Sequence, residues 1–153
     1  GECLARCPLH AQYEDFTVDT DKFPNLNVFA DDLHNHHRRL VVILDPGLNA
    51  GNPDPNIKES LELDVLIKSV VNPTLYNGAL VGKVFSDQTV FVDWFNEKAY
   101  QLWKEGLTEL YTATHFDGLW LDMNEASIYC SGECPNKEQT EGHMESIVKR
   151  MLV

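Results

Sequence analysis

"DGLWLDMNEASIYCSGECP", residues Asp117–Pro135, decides how the chain is read. A short apolar run, Gly118 to Leu121, ends in Asp122, with Glu125 three positions on and Cys130 and Cys134 closing the stretch. A continuous apolar run bounded by turn residues suits a strand buried on both faces, as in a parallel sheet. Parallel sheets point the polar residues at the carboxyl ends of their strands into the ligand crevice. The acid therefore stands where such folds do chemistry.

A second run has the same form. "RRLVVILDPG" places five apolar residues, Leu40 to Leu44, before Asp45-Pro46-Gly47. Ahead of it, "DTDKFPNLNVFADDLHNHH" reads as a cap and then a helix, with Pro24 in the first turn and Phe23, Leu26, Phe29 and Leu33 at helical spacing. Residues 46 to 78 are rich in Gly, Pro, Asn and Asp, with an amphipathic piece near Leu61 to Val71. "ALVGKVF", Ala79 to Phe85, is a further strand candidate. A helix is expected from about Phe95 to Tyr111, with Ala99, Leu102, Trp103, Leu107 and Leu110 along one stripe. The order helix, strand, long loop, strand, helix, strand predicts an α/β parallel sheet. Its parallel strands are expected near 39 to 45, 79 to 85 and 117 to 122, with Asp45 and Asp122 on one edge. The tail from 136 to 153 is polar and ends in a short amphipathic segment.

Composition bounds the function. The 153 residues carry 12 Lys plus Arg against 24 Asp plus Glu, a formal net charge of -12, which repels phosphate backbones and anionic lipid. No nucleic-acid partner is expected. No apolar run approaches the ~20 residues of a membrane span. The chain begins without a basic-then-apolar leader and reads as mature protein or as an internal piece of something longer. Cys3/Cys7 and Cys130/Cys134 have a CxxxC spacing ill suited to a zinc ribbon, and short-loop disulfides in an oxidising compartment compete with it. His34 and His37 share a helix face and could bind zinc. The competing reading is a solvated helix end, with cationic residues near its negative pole. Trp94 and Trp103 read as core.

Three readings of the acids stay open on the residues alone. Glu125 and Asp122 could open and cap the next turn. Asp45, Asp122 and Glu125 could be hard oxygen ligands for magnesium or calcium, although no regular ligand spacing accompanies them. Asp122 could instead be a glycosidase carboxylate that attacks or stabilises an oxocarbenium-like centre, with Trp120 and Met123 against the sugar's apolar face.

"WLDMNEAS", Trp120 to Ser127, resembles the Trp-x-Asp-Met-Asn-Glu signature of glycoside hydrolase family 31, the retaining α-glucosidases. "EDFTVDTDKFPNLNVFADDLHNH", "LVVILDPG" and "VFSDQTVFVDWFNEKAYQLW" agree in the family's order, and the likeness covers roughly residues 8 to 135. It implies a partial (β/α)8 TIM barrel, roughly strands two to four, in a chain that is a single fragment of a catalytic barrel. It implies Asp122 as the catalytic nucleophile, with Trp120, Met123, Asp45, Leu48 and Phe85 lining the sugar subsite. Glu125 takes a supporting place in the turn, and a Cys130–Cys134 bond braces the loop behind the nucleophile. The substrate implied is an α-linked glucoside or oligosaccharide. No cofactor or metal is implied, and the setting is a secretory, lysosomal or other endomembrane lumen.

The departures are specific. An Asp-x-Asp segment that family members carry is missing where Tyr13 runs into Glu14-Asp15-Phe16. Phe85 stands where the family has Trp. His37 replaces a helix-ending glycine and must take a left-handed conformation. The strands that would bring the general acid/base lie beyond these residues, and a full barrel needs about 250 residues. The expectation is a chain that is weakly active or inactive alone. A non-catalytic carbohydrate-binding fragment and a metal-dependent hydrolase using Asp45, Asp122 and Glu125 are the alternatives.

Overall fold

Two strands run side by side in the same direction, and everything else is arranged around their ends. The structure is a computed structural model describing residues 9–11, 14–51, 55–84, 88–124, 127–130 and 132–134. Strand β1 is Val41–Leu44 and β5 is Gly118–Leu121. They pair in parallel from Val41↔Gly118 to Leu44↔Leu121. Leu40, Val42 and Leu44 alternate into the core, as one face of a strand must. Val41 and Trp120 remain about half exposed.

Helix α1, Leu26–Asn35, precedes β1, and α3, Ala99–Thr114, precedes β5. The two helices pack on each other. The turn out of α1 closes with Arg38 N–H donating to the Leu33 carbonyl at 2.8 Å, while His37 sits at φ 57° as its sequence position demands. His115 closes α3 in the same left-handed way, its N–H reaching the Tyr111 carbonyl at 2.8 Å. Ala30, Leu102 and Leu110 from the two helices meet Val42 and Leu44 in one cluster. Gly106 lies under the Phe16 ring, where a β-carbon would stand 2.5 Å from a ring atom. That close approach is why the position carries no side chain.

Between β1 and α3 the chain makes an antiparallel excursion. It contains β2 (Gly47–Asn49), helix α2 (Pro55–Leu63), β3 (Val81–Gly82) and β4 (Thr89–Phe91). The sheet order is β2-β4-β3, both pairings antiparallel. This corrects the expectation of a parallel strand at 79 to 85. Only six residues separate Gly82 from Thr89, far too few for the crossover of a dozen or more that a parallel neighbour requires. The amphipathic piece expected near 61 to 71 lies earlier, in α2, and Leu66 and Lys68 form isolated antiparallel bridges to Val92 and Ala79.

Helix α2 packs on α3, and Ile57, Val65 and Leu66 join the same core cluster. Trp103 is packed edge-on against both Phe16 and Trp94. Trp94 itself is half exposed, less buried than expected. His34 donates or accepts at 2.8 Å with Asp117, an ion-pairing role. Among the described residues no helix is long and apolar enough to cross a membrane. The Cys3/Cys7 pair and the tail from 136 to 153 lie outside the described residues.

Candidate active site

The register of β1 and β5 sets the site. Because Leu44 pairs with Leu121, the next residues, Asp45 and Asp122, leave the sheet side by side at its carboxyl edge. Asp122 N–H still donates to the Leu44 carbonyl at 3.0 Å, so the pairing carries the second acid right up to the first. The expectation of one shared edge holds.

Each acid is held by its own turn. An Asp45 carboxylate oxygen accepts from Gly47 N–H at 2.9 Å, across Pro46. Gly47 must be glycine for space, since a β-carbon there would stand 2.7 Å from Thr89. One Asp122 oxygen accepts from Met123 N–H at 3.0 Å, and Asn124 donates its side-chain amide to the Asp122 carbonyl at 3.2 Å. Met123 holds φ 57°, a conformation costly for a side chain of its size. Such strain collects at functional turns.

The electrostatics are uneven. Burial pushes the Asp45 carboxyl above the ordinary carboxylate range. The Gly47 N–H and the nearby His10 pull it down, and the charge of Asp122 pushes it up again. The environment therefore favours the protonated form of Asp45 more than water does. Tyr129 sits close to both acids. Burial and the charges of Asp45 and Asp122 raise its phenol above the usual value. Its hydroxyl donates to the Met123 sulfur at 3.9 Å, and its N–H reaches the Lys83 carbonyl at 2.8 Å.

Of the residues expected at the site, Asp45, Asp122 and Met123 stand together. Trp120 is next to them on β5 and is 51% exposed. Leu48 lies in β2 with no exposed surface. Phe85 and Glu125 lie outside the described residues. Among the described residues, no three His, Cys, Asp or Glu side chains gather as a metal site.

Cys130 and Cys134 are joined, with their α-carbons 6.3 Å apart. Cys134 is buried, and its N–H donates to the Val81 carbonyl at 2.9 Å. Inside the small loop, both Glu133 carboxylate oxygens accept from Ser69 Oγ, at 2.8 and 2.7 Å, and one also accepts from Asn72 at 3.2 Å. The staple thus ties the loop behind Asp122 to the excursion. Sequence reasoning missed His10 and Tyr129. The available signal for Tyr129 was an aromatic placed just before the first cysteine of the staple; for His10 there was none.

A parallel strand pair with two acids at its carboxyl edge, each strand preceded by a helix, has the form of a piece of an α/β barrel. The profile of the glycosyl hydrolases family 31 TIM-barrel domain matches residues 6–150. The chain belongs to glycoside hydrolase family 31. It is 32% identical over 130 residues to lysosomal alpha-glucosidase of Mus musculus, covering 81% of this chain and 13% of that protein. It is 36% identical over 132 residues to Glucoamylase 1 of Candida albicans, covering 80% and 13%. Among solved structures it resembles the glucosidase II alpha subunit bound to DNJ, with a TM-score of 0.69, 25% identity, and coverage of 88% of this chain and 14% of that one. The chain spans about one-seventh of the length of the relatives it matches.

Proposed function

We propose that this chain is the nucleophile-bearing part of a retaining α-glucosidase, with Asp122 as the nucleophile. The observation that carries the reading is the pairing of Asp45 and Asp122 at adjacent carboxyl ends of parallel strands, in a chain of this family. An Asp122 oxygen attacks the anomeric carbon of an α-linked glucoside as the glycosidic bond breaks. The leaving oxygen takes a proton from an acid, and water then releases the sugar from the covalent intermediate. Trp120 and Met123 offer apolar and polarisable surface to the ring. Asp45 accepts sugar hydroxyls, and Leu48 backs it. Phe85 belongs to the same wall by resemblance, and Glu125 to the turn behind Asp122.

The retaining mechanism needs a second carboxyl about 5 to 5.5 Å from the nucleophile, and such general-acid help is worth about 10²- to 10⁴-fold. Asp45 is the described acid beside Asp122, and its turn occupies it with Gly47. The 153 residues alone are therefore a poor catalyst, a single fragment of a barrel whose remainder supplies the acid. Residues 136–153 are a polar tail of that fragment. A secretory or endomembrane lumen fits the Cys130–Cys134 bond, which persists in oxidising compartments.

The test is to express residues 1–153 and the longest available parent chain and assay both on maltose. The parent is expected to be active and the short chain weakly active or inactive. Binding of a glucose-configured iminosugar by the short chain, followed by tryptophan fluorescence, without turnover, would favour a carbohydrate-binding fragment. Turnover lost on adding chelator would favour a metal-dependent hydrolase. A short chain matching its parent, with Asp122→Asn abolishing that activity, would mean that a second acid lies within these 153 residues.

A further inference from the structure

His10 is placed for a task that none of the site's other residues performs. Its ring nitrogens face two backbone carbonyls: Nδ1 lies 3.1 Å from Thr17 O and Nε2 lies 3.3 Å from Ile43 O. A neutral imidazole has one N–H, so it can bond only one of these carbonyls while its other nitrogen turns a lone pair toward the second. An imidazolium has two N–H groups and satisfies both. Ile43 lies two residues before Asp45. The Leu40 and Leu44 carbonyls accept from the Asp117 and Asp122 N–H groups on the β5 side, so the alternation of a strand turns the Ile43 carbonyl to the opposite edge of β1, which pairs with no strand among the described residues. His10 therefore joins the segment 9–17 to that edge. Thr17 completes the strap: its hydroxyl donates to the Glu14 carbonyl at 2.6 Å and accepts from Ala11 N–H at 3.0 Å.

We propose that His10 is a positioning residue for Asp45: proton uptake by its ring adds a second hydrogen bond to the strap that grips β1 at Ile43, two residues before that acid. The role assigned to Asp45 rests on the sugar-site reading above; the link between the two side chains does not. Among the described residues, the charged group that acts on the ring is Asp45, at the end of β1. Asp122, at the end of β5, acts on Asp45 in turn, and both acids act on Tyr129. The other groups facing the ring are the two carbonyls, from β1 and from the segment before α1. Burial holds the imidazole below the ordinary histidine range, while the Ile43 and Thr17 carbonyls and the Asp45 charge pull it up. The change in charge thus falls on the acid side of the usual histidine titration.

Isotope-labelled full chain, titrated from about pH 8 to pH 4 across the ordinary His and Asp ranges, tests this. Long-range proton–nitrogen spectra report both His10 ring nitrogens, and carboxyl carbon shifts report Asp45. The expected result is a ring that goes from one to two N–H groups while the chain is still folded, with an Asp45 inflection at the same pH. In His10→Gln that inflection disappears and Asp45 titrates at higher pH than in the parent sequence. A ring that keeps a single N–H throughout the folded range, or an Asp45 titration unchanged in His10→Gln, overturns the proposal. Should His10→Gln fail to fold, the two wild-type titrations decide on their own. Linked titrations together with a parent chain that binds no iminosugar would uphold the His10–Asp45 link and sink the sugar-site reading instead.

Discussion

The two ends of the β1–β5 pair treat their carboxylates in opposite ways. At the amino end, Asp117 is saturated. It accepts from Leu40 N–H and meets the His34 ring, each at 2.8 Å, and takes Arg39 at 2.7 Å. The Leu40 N–H above all lowers its carboxyl to about 2; burial opposes this, and His34 and Arg39 add to the lowering. At the carboxyl end, Asp45 and Asp122 each hold one backbone N–H from their own turn, and no Lys or Arg is recorded bonding either among the described residues. Burial and a like charge raise Asp45. One end stabilises its acid to hold the strands together; at the other, among the described residues, each acid is held by a backbone N–H of its own turn. The difference is what barrels of this kind show between their two faces.

The sharpest way to break this comparison is at Asp122. In an active parent chain, Asp122→Asn is expected to lower kcat/KM by on the order of 10³-fold or more, about 4 kcal/mol of barrel-assembled transition-state stabilisation, with little change in Tm. Initial rates on maltose and a melting curve check both halves. A large loss of Tm with activity retained would reverse the roles of the two ends.

Removing the staple comes next. Replacing Cys130 and Cys134 together by Ser is expected to cost about 2 kcal/mol, the loop-closure value for so short a ring. Denaturant unfolding of the oxidised parent and the double variant measures it. Two free thiols found by mass spectrometry in unreduced, secreted material would show that the bond does not form there.

At the amino end, Asp117→Asn should lower Tm by less than the staple does, because Arg39 is exposed and surface pairs are screened. The sign follows from the lowered carboxyl. The unfolded chain binds the proton more readily, so Asp117 contributes stability above about pH 4, lost as pH falls toward 2. The variant should lack that acid slope and keep activity in the parent chain.

The smallest effect belongs to Asp45 and has the opposite sign. Its raised carboxyl binds a proton more readily when folded, so stability falls as pH rises from the ordinary carboxylate value through the raised one. Asp45→Asn keeps an oxygen for Gly47 N–H and sheds the buried charge, so Tm at neutral pH should rise slightly while sugar affinity falls. Melting curves at pH 7 and an iminosugar titration measure the two.

The sequence exposed this polarity better than it exposed the topology around it. Two apolar runs, each stopped by Asp, were enough to place Asp45 and Asp122 on one edge, because a five-residue apolar run in a helix–strand alternation has few other homes. The helix before β1 was legible for the same local reasons, whereas the left-handed turn at His37 was legible only through the family resemblance, which puts a glycine there. The run at 79 to 85 misled because burial pattern reports how deep a strand lies and says nothing about the direction of its neighbour. Val81 is fully buried in an antiparallel sheet and would read identically in a parallel one. His10 and Tyr129 were illegible because their significance comes from chain segments brought together by the fold: 33 residues separate His10 from Ile43.

The excursion between β1 and α3 leaves and returns through the same doorway. Gly47, its first paired residue, lies directly across from Phe91, near its last. A segment whose two ends already touch can be lengthened, shortened or exchanged without moving the strands it departs from. Asp45 and Asp122 sit outside that doorway and Leu48 sits just inside it. Such a cassette can be remodelled while the two acids keep their places at the strand ends.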